Sequence, residues 1–175
     1  MEFELRDGRA YFVRRVRRDD KALLTAGLAH ASPESVQRRF LGTKPHLSDA
    51  ELRYFTEVDF DDHYALVAVL RDAPDRLVAV GRWVRDRADR ESAEMAVMVC
   101  DEMQGQGVGT RLARLLADAA RRRGIRRVTA TLLVDNHAAR AVLARVADPV
   151  RTRSSDGVQD VVAELGVAPP ARRAA

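Results

Sequence analysis

Short apolar runs separated by polar turns follow one another along most of the chain. The first run, 11–16, is aromatic and β-branched and predicts a strand. Asp19-Asp20 follows it, and acidic residues favour the first turn of a helix, which we expect to continue to Ala29. Ser32-Pro33 and the capping-box sequence 48–51 are helix-start signals. The first third is therefore expected to be one strand followed by helical pieces.

The pattern changes at His63, where apolar and β-branched residues begin to dominate. Two polar turns divide this region into three runs, which cover 64–70, 77–84 and 93–100. Runs of this length joined by short turns are typical of neighbouring antiparallel strands. We expect a three-stranded antiparallel meander here.

The rest of the chain after a glycine-rich loop predicts helix, strand, helix and a final hairpin. Leucines recur at helical spacing before Gly124, a residue that commonly ends helices. Asp156-Gly157 is a hairpin-turn dipeptide. The predicted segments are a helix over 110–123, a strand over 128–134, a helix over 137–146 and strands over 150–154 and 158–165. The tail, 166–175, is expected to be flexible, so that 1–165 form a single domain.

Composition narrows the possible functions. The chain has 175 residues, of which 46% are hydrophobic, enough for one packed domain. Its net charge is +4 and its pI is near 9.8, which raises the question of a nucleic-acid partner. However, only Lys21 and Lys44 are lysines, the arginines are spread along the chain, and aromatic residues that stack on bases make up 5%. We do not expect nucleic-acid binding.

Cys100 is the single cysteine, and no histidine has zinc-site spacing to it, so no metal is expected. No apolar run reaches the roughly 18 residues that a membrane-spanning helix needs, and the N-terminus lacks a signal-peptide core. We therefore expect a cytoplasmic protein without membrane association. No feature of the sequence indicates its oligomeric state.

The segment most informative about chemistry is Gln104-Gly105-Gln106-Gly107-Val108-Gly109-Thr110, between a predicted strand and a long helix. Three glycines at alternate positions leave backbone N–H groups unobstructed, and the helix adds the positive end of its dipole. The segment lacks both the Gly-x-Gly-x-x-Gly spacing of dinucleotide sites and the lysine of the P-loop. It predicts an anion-binding loop of another kind.

Gln104, Gly107 and Gly109 fit the pattern Arg/Gln-x-x-Gly-x-Gly/Ala, and with the element order they make the chain similar to the GNAT acyltransferase family. The resemblance implies an α+β fold with a mixed, mostly antiparallel sheet flanked by helices. It also implies that acetyl-CoA is the acyl donor and that loop 104–110 holds its pyrophosphate. The donor's pantetheine arm would contact the backbone of Val97, Met98 and Val99, together with Asn136, which could equally be a simple helix cap.

Within the family, the chain most resembles bacterial Pat-type protein lysine acetyltransferases, in stretches that include Ser32-Pro33-Glu34-Ser35 and Ala93-Glu94-Met95-Ala96-Val97. The resemblance implies that Glu94 is the general base, because an amine must lose a proton before it attacks a thioester. It favours a protein lysine as acceptor. The arginine-rich chain would suit an acidic partner such as an acyl-CoA synthetase, and the acidic turn Asp59, Asp61 and Asp62 could attract the ammonium group.

Two departures from the family pattern leave alternatives open. Leu143 stands where many members have a tyrosine that protonates the leaving thiolate, and Asp148-Pro149 replaces a Gly-Phe. The acceptor could instead be a small amine or an amino acid. The chain could also be a catalytically silent acyl-CoA-binding module that regulates a partner.

Overall fold

The computed structural model describes residues 1–166, so that the predicted tail lies outside the described residues except for Gly166. Eight strands and five helices follow in the order β1 (Glu2–Glu4), β2 (Ala10–Arg15), α1 (Lys21–Ala29), α2 (Pro33–Phe40), α3 (Asp49–Thr56), β3 (His63–Leu70), β4 (Leu77–Arg85), β5 (Ser92–Val99), α4 (Val108–Arg121), β6 (Arg127–Leu133), α5 (His137–Leu143), β7 (Asp148–Ser155) and β8 (Val158–Glu164).

All eight strands form one sheet in the spatial order β1-β2-β3-β4-β5-β6-β8-β7. Neighbouring strands are antiparallel except β5 and β6, which run parallel. The predicted α+β class and mixed, mostly antiparallel sheet are confirmed. The parallel pair follows from the long helix α4, which carries the chain back across the sheet between β5 and β6.

Helices cover both faces of the sheet, and the alternation of β3 shows how. Ala65, Val67 and Val69 pack into an apolar cluster with Leu23 and Leu24 of α1. The intervening Leu66, Ala68 and Leu70 belong to a second cluster with α4, α5 and the later strands. A strand that is buried on both faces consists of a nearly continuous run of apolar residues, as 64–70 does.

Most predicted elements are confirmed to within a few residues; the main differences are one unpredicted strand, two shifted helix ends and the role of Asp20. The strand β1 was not predicted, because it has three residues and two of them are glutamates. The helix α4 begins at Val108 instead of Thr110, and α5 ends at Leu143 instead of 146. The carboxylate of Asp20 does not cap α1; it accepts hydrogen bonds from the Arg17 N–H and from Arg14.

Candidate active site

The two parallel strands separate part-way along their length. Their ladder pairs Ser92 with Arg127, Ala93 with Val128 and Glu94 with Thr129, and ends there. Both strands continue, β5 to Val99 and β6 to Leu133. The edge of β5 beyond Glu94 therefore turns its backbone N–H and C=O groups toward an opening, where an extended ligand can bond to them.

This opening is a cleft of about 710 Å³, a volume within the range of small-molecule sites. The cleft runs from the glycine loop to Glu94, with β5 as one wall and β6 and α5 as the other. The C-terminal half of α2 also contributes to the wall near Glu94 through Arg38, Arg39 and Phe40. The cleft is thus bounded by β5, by β6 and α5, and by the end of α2.

The glycine loop has the backbone geometry that an anion site requires. Gly105 and Gly107 have φ values of +72° and +84°, which L side chains rarely adopt, and a Cβ at either would meet no atom within 4 Å. Gly107 is the N-cap of α4 and offers no side chain to its N–H groups. The N–H groups of Val108, Gly109 and Thr110, in the first turn, have no intrahelical acceptor and carry the positive end of the helix dipole.

A hydrogen-bond network fixes this loop to α2. The Gln104 side chain donates to the Val99 carbonyl at 3.2 Å, to Ser35 Oγ at 3.1 Å and to Asp101 Oδ1 at 3.1 Å. Asp101 also accepts from the Ser32 N–H at 2.7 Å and from Ser35 Oγ. Partial burial raises the pKa of Asp101, but the bonds from Ser35 and Ser32 outweigh it and hold the pKa below its ordinary value. Sequence reasoning missed Asp101, whose role depends on contacts across the chain.

The structure brings most of the predicted site residues to the cleft. Those that line it are Glu94, Val97, Met98, Val99, Gln104, Gly105, Gly107, Val108, Gly109, Thr110 and Asn136. Gln106 does not line it; its side chain accepts from the Arg6 N–H at 3.1 Å and faces the N-terminal turn. Val108 is buried, so only its backbone can reach a ligand. Asn136 accepts a hydrogen bond from the Ala139 N–H at 3.0 Å and so caps α5, which is the helix-cap role that the sequence left open for it.

Two side chains that line the cleft, Glu94 and Leu143, decide which proton-transfer groups it contains. Glu94 is exposed and lies at the last paired position of β5, five residues before Val99, or about 16 Å along the strand. Leu143 is 7% exposed and lines the cleft from α5. The cleft therefore has a carboxylate at one end, while the position of the family tyrosine presents only an apolar surface.

The acidic turn lies outside the cleft lining, and its carboxylates have other partners. Asp59 accepts from the backbone N–H groups of Asp61, Asp62 and His63. Asp62 forms ion pairs with Arg85 and Arg90, at 2.8 and 2.7 Å. Asp59 and Asp62 thus hold the start of β3, whereas the Asp61 side chain is 80% exposed, with Arg123 at 3.9 Å.

Two arginines lie on the face of the sheet that carries Glu94. Arg39 lines the same cleft as Glu94. Arg82 lies on β4, is 6% exposed, and lines a second, smaller pocket together with Arg39. Arg82 donates to His63 Nε2 at 3.2 Å and lies over the Phe55 ring at 4.2 Å. Burial, and next the charge of Arg82, lower the pKa of His63 to about 4, so this imidazole is neutral at pH 7. We call Arg39 and Arg82 the arginine pair.

The sequence profile described as "Acetyltransferase (GNAT) family" matches residues 33–147, which span β3 to β6, the glycine loop and α5. The chain belongs to this GNAT family. This is the family that the glycine motif and the element order indicated, and members of it that are similar to this chain are named acetyltransferases. The family profile begins at the first residue of α2 and ends just before β7, so β1, β2, β7 and β8 are matched only by individual relatives.

Individual GNAT proteins extend the match over nearly the whole chain. "Acetyltransferase Pat" of Mycolicibacterium smegmatis is 32% identical over 166 residues, 95% of this chain and 48% of that protein; the chain spans about half its length. The crystal structure of the GNAT domain of S. lividans PAT has a TM-score of 0.83 and 32% identity, covering 94% of this chain and 96% of that one. Salmonella typhimurium yncA, solved with its cofactor acetyl-CoA, shares the fold with a TM-score of 0.69, at 17% identity over 94% of this chain and 98% of that one.

Two kinds of feature are absent from residues 1–166. No described helix combines the length and apolar character needed to cross a membrane. Nowhere in that part of the chain do three His, Cys, Asp or Glu side chains gather as metal ligands would.

Proposed function

We propose that the protein transfers an acetyl group from acetyl-CoA to a primary amine by direct attack, with Glu94 as general base and a protein lysine as acceptor. The observation that carries the proposal is the divergence of β5 from β6, which opens a cleft from a helix N-terminus to an exposed carboxylate. That arrangement suits a long donor with an anionic head at one end and a reacting thioester at the other.

Backbone groups form the part of the cleft that binds the donor. The N–H groups of the first turn of α4 bind the pyrophosphate, and the positive-φ glycines allow it to approach without meeting a side chain. The exposed edge of β5 at Val97, Met98 and Val99 bonds the pantetheine arm as an added strand would. Asn136, already engaged as a cap, sets the start of α5 on the opposite wall.

Glu94 performs the proton transfer at the other end. Its carboxylate takes a proton from the acceptor ammonium, directly or through one water, because a protonated amine has no lone pair with which to attack. The freed nitrogen then forms its bond to the thioester carbon as the carbon–sulfur bond breaks. The nitrogen loses a second proton to solvent in this step, so that the products are a neutral amide and CoA thiolate. Leu143 provides no acid, so water protonates the thiolate.

A protein lysine is favoured because the similarity to Pat proteins includes the acceptor side. The match to the S. lividans domain covers 94% of the chain, so it reaches α2 and α3 as well as the cofactor loop. The net charge of +4 favours an acidic partner surface, such as that of an acyl-CoA synthetase.

The test is acetylation of purified candidate synthetases, followed by CoA release and by mass spectrometry of acetyl-lysine. Glu94→Gln keeps the shape of the side chain but removes its basicity. We expect it to lower turnover by about 10²–10⁴-fold with acetyl-CoA affinity close to that of the wild type.

Glu91→Gln is the matched control. Glu91 precedes β5, is exposed outside the cleft and pairs with Arg126 at 3.3 Å. Its substitution should leave turnover within about twofold of the wild type, as surface changes usually do. Unchanged turnover in Glu94→Gln would refute the base assignment. Rapid CoA release with polyamines or amino acids, but none with proteins, would refute the lysine acceptor; binding of acetyl-CoA without any turnover would identify a silent module.

A further inference from the structure

The arginine pair combines a buried side chain, Arg82, with a half-buried one, Arg39, and neither has an ion-pair partner among the described residues. Within residues 1–166, no carboxylate oxygen lies within 4.0 Å of Arg39 or Arg82. By contrast, the well-buried Arg85 side chain pairs with Asp62 at 2.8 Å. A buried cation without a counter-charge is costly, and such groups are usually paired.

The groups that contact Arg82 are neutral. Its guanidinium donates to the Phe55 carbonyl at 3.4 Å and to His63, which is uncharged at pH 7. Burial, and then the charge of Arg39, lower the pKa of Arg82 to about 9. Burial also lowers the pKa of Arg39, an effect that the charge of Glu94 opposes. The pair is thus an electropositive spot that an anion would stabilise.

This spot adjoins the reacting end of the cleft. In the β4–β5 ladder Arg82 faces Ala96 and Val84 faces Glu94, so Arg82 and Glu94 are diagonal neighbours on one face of the sheet. Diagonal neighbours have Cα atoms about 7–8 Å apart, within the combined reach of two long side chains. Arg39, on α2, lines the cleft together with Glu94 and lines the smaller pocket together with Arg82. An acceptor whose amine meets Glu94 would place its neighbouring atoms against Arg39.

We propose that Arg39, backed by Arg82, binds a carboxylate of the acceptor, supplied by an acidic residue next to the target lysine. This inference rests on the proposed function and names the sequence context of its substrate. The same chemistry would also be met by the carboxylate of a free amino acid, which the experiment separates from the peptide source.

The first arm compares two peptides that each contain one lysine and differ only in having Glu or Gln on both sides of it. A charge-assisted hydrogen bond to a carboxylate is worth enough to favour the Glu peptide by about 10- to 100-fold in kcat/KM. The second arm compares Nα-acetyl-lysine with Nα-acetyl-lysinamide, which present the same amine with and without a free carboxylate. A preference in the second arm alone assigns the site to a free amino acid and overturns the peptide source.

Variants of Arg39 locate the effect. Arg39→Gln should bring the Glu/Gln ratio close to one, and Arg39→Lys, which keeps the charge, should retain part of it. Arg53→Gln is the control. Arg53 lies on α3, is exposed and does not line the cleft, so this substitution removes the same charge at a site away from the cleft. A ratio that falls equally in Arg39→Gln and Arg53→Gln would show a general charge effect and overturn the proposal.

A binding measurement separates this inference from the proposed function. Titration of the same peptides into the CoA complex of Glu94→Gln, followed by NMR, needs no turnover. Tighter binding of the Glu peptide, lost in the Arg39→Gln Glu94→Gln double variant, supports the carboxylate site even if no acetylation is found. Equal binding of both peptides refutes it even if lysines are acetylated.

Discussion

At the scale of single residues, two separate factors decide whether a position must be glycine: the backbone conformation and the space for a side chain. At Gly107 the two factors differ. Its φ of +84° disfavours any L side chain, yet a Cβ there would meet no protein atom within 4 Å. Gly107 is also the N-cap of α4, so this open space adjoins the first turn of the helix, whose N–H groups have no intrahelical acceptor. A side chain at this position would therefore compete with an anion and not with the protein.

Gly107→Val should weaken acetyl-CoA binding on the order of 100-fold by calorimetry, because it displaces the pyrophosphate from two or more charge-assisted hydrogen bonds. Gly124→Val is the control, since Gly124 has a φ of +75° and the same open surroundings at the far end of α4. Both variants carry a backbone strain of about 1–3 kcal/mol. Equal acetyl-CoA affinity in the two folded variants would contradict an anion site at Gly107.

At the scale of elements, the position of the loop depends on how closely α4 lies on the sheet. Gly81 of β4 faces α4, and a Cβ there would lie 2.8 Å from Leu116 and 3.1 Å from Leu112. It would also lie 3.2 Å from Val97 on β5. The absent side chain thus lets the helix approach β4 and β5 and keeps its N-terminus at the cleft.

Gly81→Ala should destabilise the protein by about 1–3 kcal/mol in urea unfolding, because the core must shift to admit the methyl group. Acetyl-CoA affinity should fall with it as α4 moves. Gly42→Ala makes the same chemical change where a Cβ meets nothing within 4 Å, and it should be neutral or slightly stabilising. A Gly81→Ala variant as stable as the wild type would mean that α4 is not held this closely.

Elements with strong local signals were predictable from the sequence. Ser48 and Glu51 form the capping box at the start of α3, with the Ser48 N–H donating to Glu51 at 2.9 Å. Asp156 and Gly157 both have positive φ in the β7–β8 turn. These features depend on a few consecutive residues, so local chemistry decides them.

Features that depend on contacts between distant segments were not predictable. The separation of β5 from β6 depends on a parallel pairing between segments about 35 residues apart, which no local pattern specifies. The glycine motif located the loop, but its support by Asp101 and Ser35 spans 66 residues. Arg82 did carry a signal, since it is a charged residue inside the apolar run 77–84, but its meaning depends on Arg39 and Glu94.

At the scale of the whole molecule, the sheet has two parts joined by a short ladder. The strands β1 to β5 form one part and β6, β8 and β7 the other, with three paired positions between β5 and β6. The helix α4 packs against β3, β4 and β5, and it contacts α5, which follows β6. A ligand in the cleft would touch both parts at once and reinforce a junction that has three paired positions.

Acetyl-CoA at 100 times its Kd should therefore stabilise the whole domain, adding about 2.7 kcal/mol to the free energy of unfolding. For a chain of this size that corresponds to a rise in Tm of roughly 5–11 °C, measurable by calorimetry. Hydrogen exchange should slow on both sides of the cleft, at the free edge of β5 and along β6, and Gly107→Val should lose both effects. Protection confined to the glycine loop, with no change at β5 or β6, would show that the donor binds at the helix N-terminus without filling the opening between the strands.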